Sequence, residues 1–319
     1  MKNSKLIFIL LLLVIAGYKA GAQQDAMYTQ YMFNQLALNP AVAGSKDVLS
    51  ATALYRRQWV GVPGAPQTQT LAIDAPVPGK KIGLGLLLSN DKVGITRTTN
   101  VFGNYAFKIE MDKGTLALGI RGGASFFRAD FTSVDLNGNS PNDPGFMQNV
   151  KKALLNFGAG VYYTTDRLYL GVSIPHLLNN TLQNNSAVVT NQLISREYLH
   201  LFVIGGYVFD LNEDLKLKPS FLFKGSKGAP IELDLNANFW LKEIVGVGLS
   251  YRSKADISIM AEVQATPRLR FGYAYDRSTT QLVKFNSGSH ELMLKYELPI
   301  DMGGKADGSK EDKPSKSYF

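Results

Sequence analysis

Ile231-Glu232-Leu233-Asp234-Leu235-Asn236-Ala237-Asn238-Phe239 decides the fold. Side chains on an extended strand point to alternate faces. This stretch therefore has one apolar face, Ile231, Leu233, Leu235, Ala237 and Phe239, and one polar face, Glu232, Asp234, Asn236 and Asn238. The same alternation flanks it. Leu269, Phe271, Tyr273 and Tyr275 oppose Arg268, Arg270, Gly272 and Asp276. Leu292, Leu294, Tyr296 and Leu298 oppose Glu291, Met293, Lys295 and Glu297.

Extending the period-two reading gives about fourteen strands. They fall near 48–59, 67–75, 81–90, 97–110, 114–128, 153–164, 166–174, 197–209, 214–223, 228–241, 243–252, 256–265, 268–276 and 289–298. Their lengths cluster around ten residues, as tilted membrane-crossing strands require. The links alternate as well. Pro76-Val77-Pro78-Gly79, Asp112-Lys113-Gly114, Thr165-Asp166, Asn212-Glu213-Asp214, Lys242-Glu243 and Thr266-Pro267 are tight. After the odd strands most links, 60–66, 91–96, 129–152, 175–196 and 277–288, are longer, and only the one at 253–255 is short. Short turns on one side and long loops on the other mark an outer-membrane β-barrel with its turns in the periplasm.

A soluble sandwich or propeller is the alternative. The aromatics favour the membrane. Tyr55, Tyr163, Phe209, Phe239 and Tyr251 sit near strand ends on the apolar face, where interfacial girdles belong.

Composition agrees. The chain has 319 residues, of which 45% are apolar, 11% aromatic and only 19% charged. That is too apolar for disorder. With no cysteine, disulfides, thiol nucleophiles and lipidated cysteines are excluded. The net charge of +8 is spread along the chain without a basic block, so no nucleic-acid partner is expected.

Residues 1–22 are read as a signal peptide: Lys2 and Lys5, an apolar run from Leu6 to Ala16, and the small residues Ala20-Gly21-Ala22. Residues 23–47 form an N-terminal periplasmic or plug segment, with Tyr28, Gln30, Tyr31, Phe33, Asn34, Asn39 and Pro40 as its candidate residues. Helical spacing there predicts a short helix ended by Pro40. Residues 48–298 form the barrel, and 299–319 a disordered tail.

The polar faces carry Arg56, Arg121, Glu232, Asp234, Arg252, Glu262, Arg270, Lys295 and Glu297 as candidate lumen-lining residues. A selective pore shows one sign of charge at its constriction. Both signs mix here, which predicts a lumen closed by ion pairs and the N-terminal segment. Glycines at period two, such as Gly83 and Gly85, leave room for an inward plug or long side chains.

No catalytic, cofactor-binding or metal residues are assigned. Ser289-His290-Glu291 is the one cluster around a histidine, but Glu291 points to the opposite strand face from His290. Asp135, Asn137, Asn139 and Asp143 could gather calcium, yet the EF-hand Gly and Glu positions do not fit.

Several blocks together carry a resemblance. They include Asp25-Ala26-Met27-Tyr28-Thr29-Gln30-Tyr31-Met32-Phe33-Asn34, Asn39-Pro40-Ala41-Val42-Ala43-Gly44, Tyr55-Arg56-Arg57-Gln58-Trp59-Val60-Gly61, Gly272-Tyr273-Ala274-Tyr275-Asp276 and Gly288-Ser289-His290-Glu291. On these the chain resembles the PorP/SprF family of outer-membrane proteins, linked to the type IX secretion system of Bacteroidetes. The resemblance implies a 14-stranded barrel that supports protein export or surface retention. It implies partners: a secreted type IX substrate or the C-terminal domain of a large adhesin, periplasmic or outer-membrane secretion components, and outer-membrane lipid. Gliding motility is one process so served. It implies no cofactor and no catalysis.

The longest outer loops, 129–152 and 175–196, are the expected cargo-facing surfaces. Their candidate residues are Asp130, Asp135, Asn137, Asn139, Asp143, Phe146, His176, Leu177 and Asn184. The competing functions are a general or nutrient porin and an outer-membrane hydrolase.

Overall fold

The computed structural model describes residues 27–134, 146–183, 193–196, 199–226 and 229–300. The expected leader, and the tail from 301 onward, lie outside the described residues.

Fourteen antiparallel strands close into one barrel. They are β1 (Val48–Arg57), β2 (Gln67–Pro76), β3 (Ile82–Val93), β4 (Thr96–Met111), β5 (Gly114–Ala129), β6 (Val150–Thr164) and β7 (Leu168–Ile174). The second half comprises β8 (His200–Tyr207, resuming at Phe209–Asp210), β9 (Leu215–Ser226), β10 (Glu232–Leu241), β11 (Val245–Arg252), β12 (Asp256–Thr266), β13 (Leu269–Ser278) and β14 (Ser289–Pro299). Each strand pairs with the next, and β1 closes on β14 from Val48 opposite Pro299 to Arg57 opposite His290. Closure pairs every barrel strand on both sides, which a lipid environment demands.

Alternation decides which side faces lipid. Along β11 exposed and buried residues alternate without a break. The exposed set is apolar, with Val247, Leu249, Ile257 and Ile259 all at least half exposed. The buried set is polar, with Asn236, Asn238, Ser250 and Ser258. A soluble sheet has the reverse arrangement, and an apolar exterior this extensive belongs in a bilayer.

Two expectations of detail change. The link expected over 91–96 is only the turn Gly94-Ile95, because β3 and β4 run on to Val93 and from Thr96. Gly94 takes φ +56° there, a conformation glycine adopts without steric cost. Strands β4 and β5 are also longer than expected, at 16 residues each. The tight links remain at one end, and the longest others are 130–149 and 175–199. The latter contains a small hairpin of Thr181–Gln183 with Leu193–Arg196.

The core of the molecule lies inside the barrel. Residues 27–44 run through the lumen, and nearly all of them are buried. Met27, Tyr31, Met32, Phe33 and Leu38 pack on the inward side chains Leu54, Tyr162, Tyr169, Phe202, Ile204, Leu222, Trp240, Met260 and Met293. Leu36 and Ala43 pack on Ala72, Leu87, Phe102 and Ala106.

The segment is not one helix. It makes three 3-10 turns, Tyr31–Phe33, Gln35–Ala37 and Pro40–Val42. Asn34 leaves helical geometry at φ −131°, ψ 58° and separates the first two. Asn39 is extended and caps the third by accepting from the Ala41 N–H at 2.9 Å.

Candidate functional site

The lumen and its occupant form the site. The segment descends from Thr29, near the long-loop ends of β1, β13 and β14, to Gly44, beside the short-turn ends of β2 and β3. Glycine makes this path possible. A Cβ on Gly83 would overlap the Ala43 carbonyl oxygen, and one on Gly119 would overlap the Ala41 nitrogen.

Three polar ties fix the segment to the wall. In the first, Arg56 lies 2.6 Å from Asp276 and 3.1 Å from Glu291. Its guanidinium donates to Thr29 Oγ1 at 2.8 Å, and Thr29 Oγ1 donates to Asp276 at 2.9 Å. The Glu291 carboxylate accepts the backbone N–H groups of Thr29 at 2.9 Å and Gln30 at 2.8 Å. Charge-assisted bonds like these are about twice as strong as neutral ones.

In the second tie, Arg252 pairs with Asp234 at 2.8 Å and donates to the Tyr28 carbonyl at 3.0 Å. Glu232 adds a weaker contact to Arg252 at 3.6 Å. In the third, Arg121 donates to the carbonyls of Leu36 and Ala37 while its Nε holds Asn104 at 2.8 Å.

Further contacts complete the fit. Tyr28 meets Thr70 at 2.7 Å, and Asn236 donates to the Tyr31 hydroxyl at 2.8 Å. Asn39 donates to the Val161 carbonyl at 2.9 Å, Ser173 to the Leu38 carbonyl at 2.8 Å, and the Gly44 N–H to Asp74 at 2.8 Å. Lys218 stands 5.5 Å over the ring of Phe33, within cation–π range.

Magnitudes separate the two kinds of contact. Burying an apolar side chain of this size contributes about 1.5–3 kcal/mol. A buried ion pair gains little net stability, because desolvation offsets its Coulomb attraction. Apolar packing therefore supplies most of the holding energy, while the ties set the position of the segment.

The remaining candidates near the short-turn end also pair. Arg270 lies 3.8 Å from Glu262 and 4.4 Å over the Trp240 ring. Lys295 and Lys46 each lie 3.1 Å from Glu297. Between segment and wall a cavity of about 30 Å³, room for one water, is lined by residues including Asn34, Lys46, Asp74 and Lys295. All nine lumen candidates thus lie on the inner wall. Three of them, Arg56, Arg121 and Arg252, touch the segment directly. Gln30, Asn34 and Pro40 are buried within it.

Sequence reasoning missed Thr29, Asp276, Glu291, Asp74 and Lys218 as participants. The period-two pattern already put Asp276 and Glu291 on the polar face. What it did not carry was their convergence on Arg56.

The outer-loop candidates divide. Asp130 pairs with Arg128 at 2.7 Å. Phe146 packs edge-on against Phe131, with ring centroids 6.0 Å apart. His176 turns back onto the inward ring of Phe102, with centroids 5.4 Å apart, while Leu177 is exposed. The start of this loop is held against β6, where Asn156 accepts from the Leu178 N–H at 3.0 Å. Asp135, Asn137, Asn139, Asp143 and Asn184 lie outside the described residues. His290 bonds Tyr273 at 2.6 Å on the outer face, whereas Glu291 is fully buried inside. Among the described residues no three His, Asp or Glu side chains gather as a metal site.

The family model described as "Type IX secretion system membrane protein PorP/SprF" matches residues 20–296. No curated protein matches the chain. Among solved structures, the Acinetobacter baumannii outer membrane protein Omp33 is similar at 6% identity and TM-score 0.45, over 81% of this chain and 100% of that one. The CymD monoaromatic hydrocarbon channel is similar at 12% identity and TM-score 0.48, over 88% and 94%. A Pseudomonas aeruginosa FadL homologue follows at 14% identity and TM-score 0.42, over 80% and 89%. Likenesses this distant do not reach what the chain binds.

Proposed function

We propose, from the premise that the chain belongs to the PorP/SprF family of type IX secretion system membrane proteins, that it works by binding and not by conducting. It is a secretion-associated barrel of the outer membrane. In the proposed role it holds a secreted substrate at the cell surface, such as the C-terminal domain of a large adhesin, and docks secretion components from the periplasm. Where the cargo is an adhesin of gliding, the barrel serves motility.

One observation supports this reading above the others: residues 27–44 fill the lumen and are bonded to the wall along its length. A nutrient porin needs a water-filled path, and this barrel gives that volume to its own chain. The working surfaces are then the ends. The outer end carries the longest links, 130–149 and 175–199, the natural recognition elements on a rigid scaffold. The periplasmic end presents short turns and both barrel termini.

The test is quantitative proteomics of the cell surface and medium after deleting the gene. Loss or misplacement of one large secreted protein supports a cargo-dedicated barrel. Periplasmic accumulation of all type IX substrates supports a core component of the machine. If neither changes, the binding role fails.

A further inference from the structure

The outer rim carries a row of basic side chains that the lumen chemistry does not use. Strand register places Lys92 directly opposite Arg97, Arg97 opposite Arg128, and Arg128 opposite Lys151. These four residues stand on adjacent strands β3 to β6, all on the outward face and all exposed. The row continues past Gln67 to Arg57, which faces His290 across β1 and β14.

Such a row is costly by itself. Directly opposite side chains on one face have Cβ atoms about 4.5–5.5 Å apart, and like charges there repel. Three successive like-charge pairs call for an anion spanning them. Asp130, bonded to Arg128 at 2.7 Å, answers one position of the four.

Position selects the kind of anion. On each of these strands the basic residue lies two to four residues beyond the last large outward apolar side chain. The pairs are Lys92 above Leu88, Arg97 above Val101, Arg128 above Phe126 and Lys151 above Leu155. At about 3.4 Å per residue that is roughly 7–14 Å, the step from acyl chain to headgroup. Four strands spaced about 4.8 Å apart span about 14 Å, wide enough for a headgroup with two phosphates. A lipid satisfies both layers at once, with its phosphates on the row and its chains on the apolar wall below. An acidic protein would meet the row alone.

We propose that Lys92, Arg97, Arg128 and Lys151 form a docking surface for the phosphorylated headgroup of an outer-leaflet glycolipid, of the lipid A type. Arginine forks and lysine ammonium groups are the usual phosphate partners. The lipid would neutralise the row and fix the rotation and depth of this wall in the membrane.

The test is native mass spectrometry of the full-length barrel in detergent, titrated with diphosphorylated lipid A and with lipid A stripped of phosphate. The account expects specific binding of the phosphorylated lipid, weakened about tenfold or more for the stripped lipid. The variant Lys92→Gln/Arg97→Gln/Arg128→Gln/Lys151→Gln should show a loss of the same size. Removing Lys80, Lys81 and Lys113 at the other end of the barrel should change nothing. Binding by the wild-type protein should also weaken as salt rises, because exposed charges are screened. This readout holds even if the quadruple variant does not fold. Equal binding of stripped lipid, an unchanged quadruple variant or salt-insensitive binding would each overturn the proposal. Displacement by an equal concentration of inorganic phosphate would show a free-anion site and overturn the lipid assignment.

Discussion

Arg56 and Glu291 face each other across the β1–β14 seam and pair at 3.1 Å inside the barrel, with neither side chain exposed by more than 1%. The seam that closes the barrel is thus also the seam that holds its occupant, because Glu291 takes the N–H groups of Thr29 and Gln30. Glu291→Gln keeps the shape and removes the charge. A hydrogen bond to a charged group contributes about 1.5–3 kcal/mol. The amides of Thr29 and Gln30 are therefore expected to exchange about tenfold faster or more. Hydrogen exchange with mass spectrometry reads this directly, and unchanged rates would remove Glu291 from the anchor.

Asp234 is fully buried and depends on Arg252. Arg252→Met leaves its carboxylate without its cation, at a cost of about 3–5 kcal/mol. The double variant Arg252→Met/Asp234→Leu removes both charges and should recover most of that loss. Urea unfolding in micelles, followed by tryptophan fluorescence, compares the two. A double variant as unstable as the single one would mean the pair is more than a matched set of charges.

Gly83→Val tests the close approach of segment and wall, because even a Cβ would overlap the Ala43 carbonyl. The barrel should still form, shown by its heat-modifiable mobility on a gel, while residues 27–44 become open to protease. Gly103→Ala is the control, since the nearest atom to its added Cβ is 3.8 Å away. Protection of the segment in Gly83→Val would argue against tight packing at this point.

Replacing loops 130–149 and 175–199 with short Gly-Ser turns tests the cargo surfaces. Barrel assembly should persist, because insertions and deletions in surface loops are well tolerated. Surface retention of cargo should be lost. Retention that survives both replacements would move cargo binding elsewhere.

The strands were legible because one face meets lipid and the other does not, so period two survives in stretches such as 231–239. The mixed charges of the inner face were legible for the same reason. Strand ends were less so. Nothing in the hydropathy of 91–96 distinguishes a loop from a ladder that continues to a two-residue turn at Gly94. In the N-terminal segment Tyr28, Tyr31, Met32, Gln35 and Leu36 fall at helical spacing, which predicts one helix. Buried on every side, those residues satisfy the same spacing as separate 3-10 turns broken at Asn34. The Arg56 tie was beyond the sequence, since Arg56 and Glu291 are 235 residues apart and meet only through barrel closure. The inward turn of His176 onto Phe102 was likewise hidden, because a lone histidine after Pro175 carries no pattern.

The central claim is a barrel closed by its own N-terminal segment. Planar-bilayer conductance of the purified full-length protein, beside a variant lacking residues 27–44, tests it most directly. The account predicts no nanosiemens-scale channels from the intact protein and clear channels from the deletion variant. Steady nanosiemens conductance from the intact protein would contradict it and make the barrel a porin.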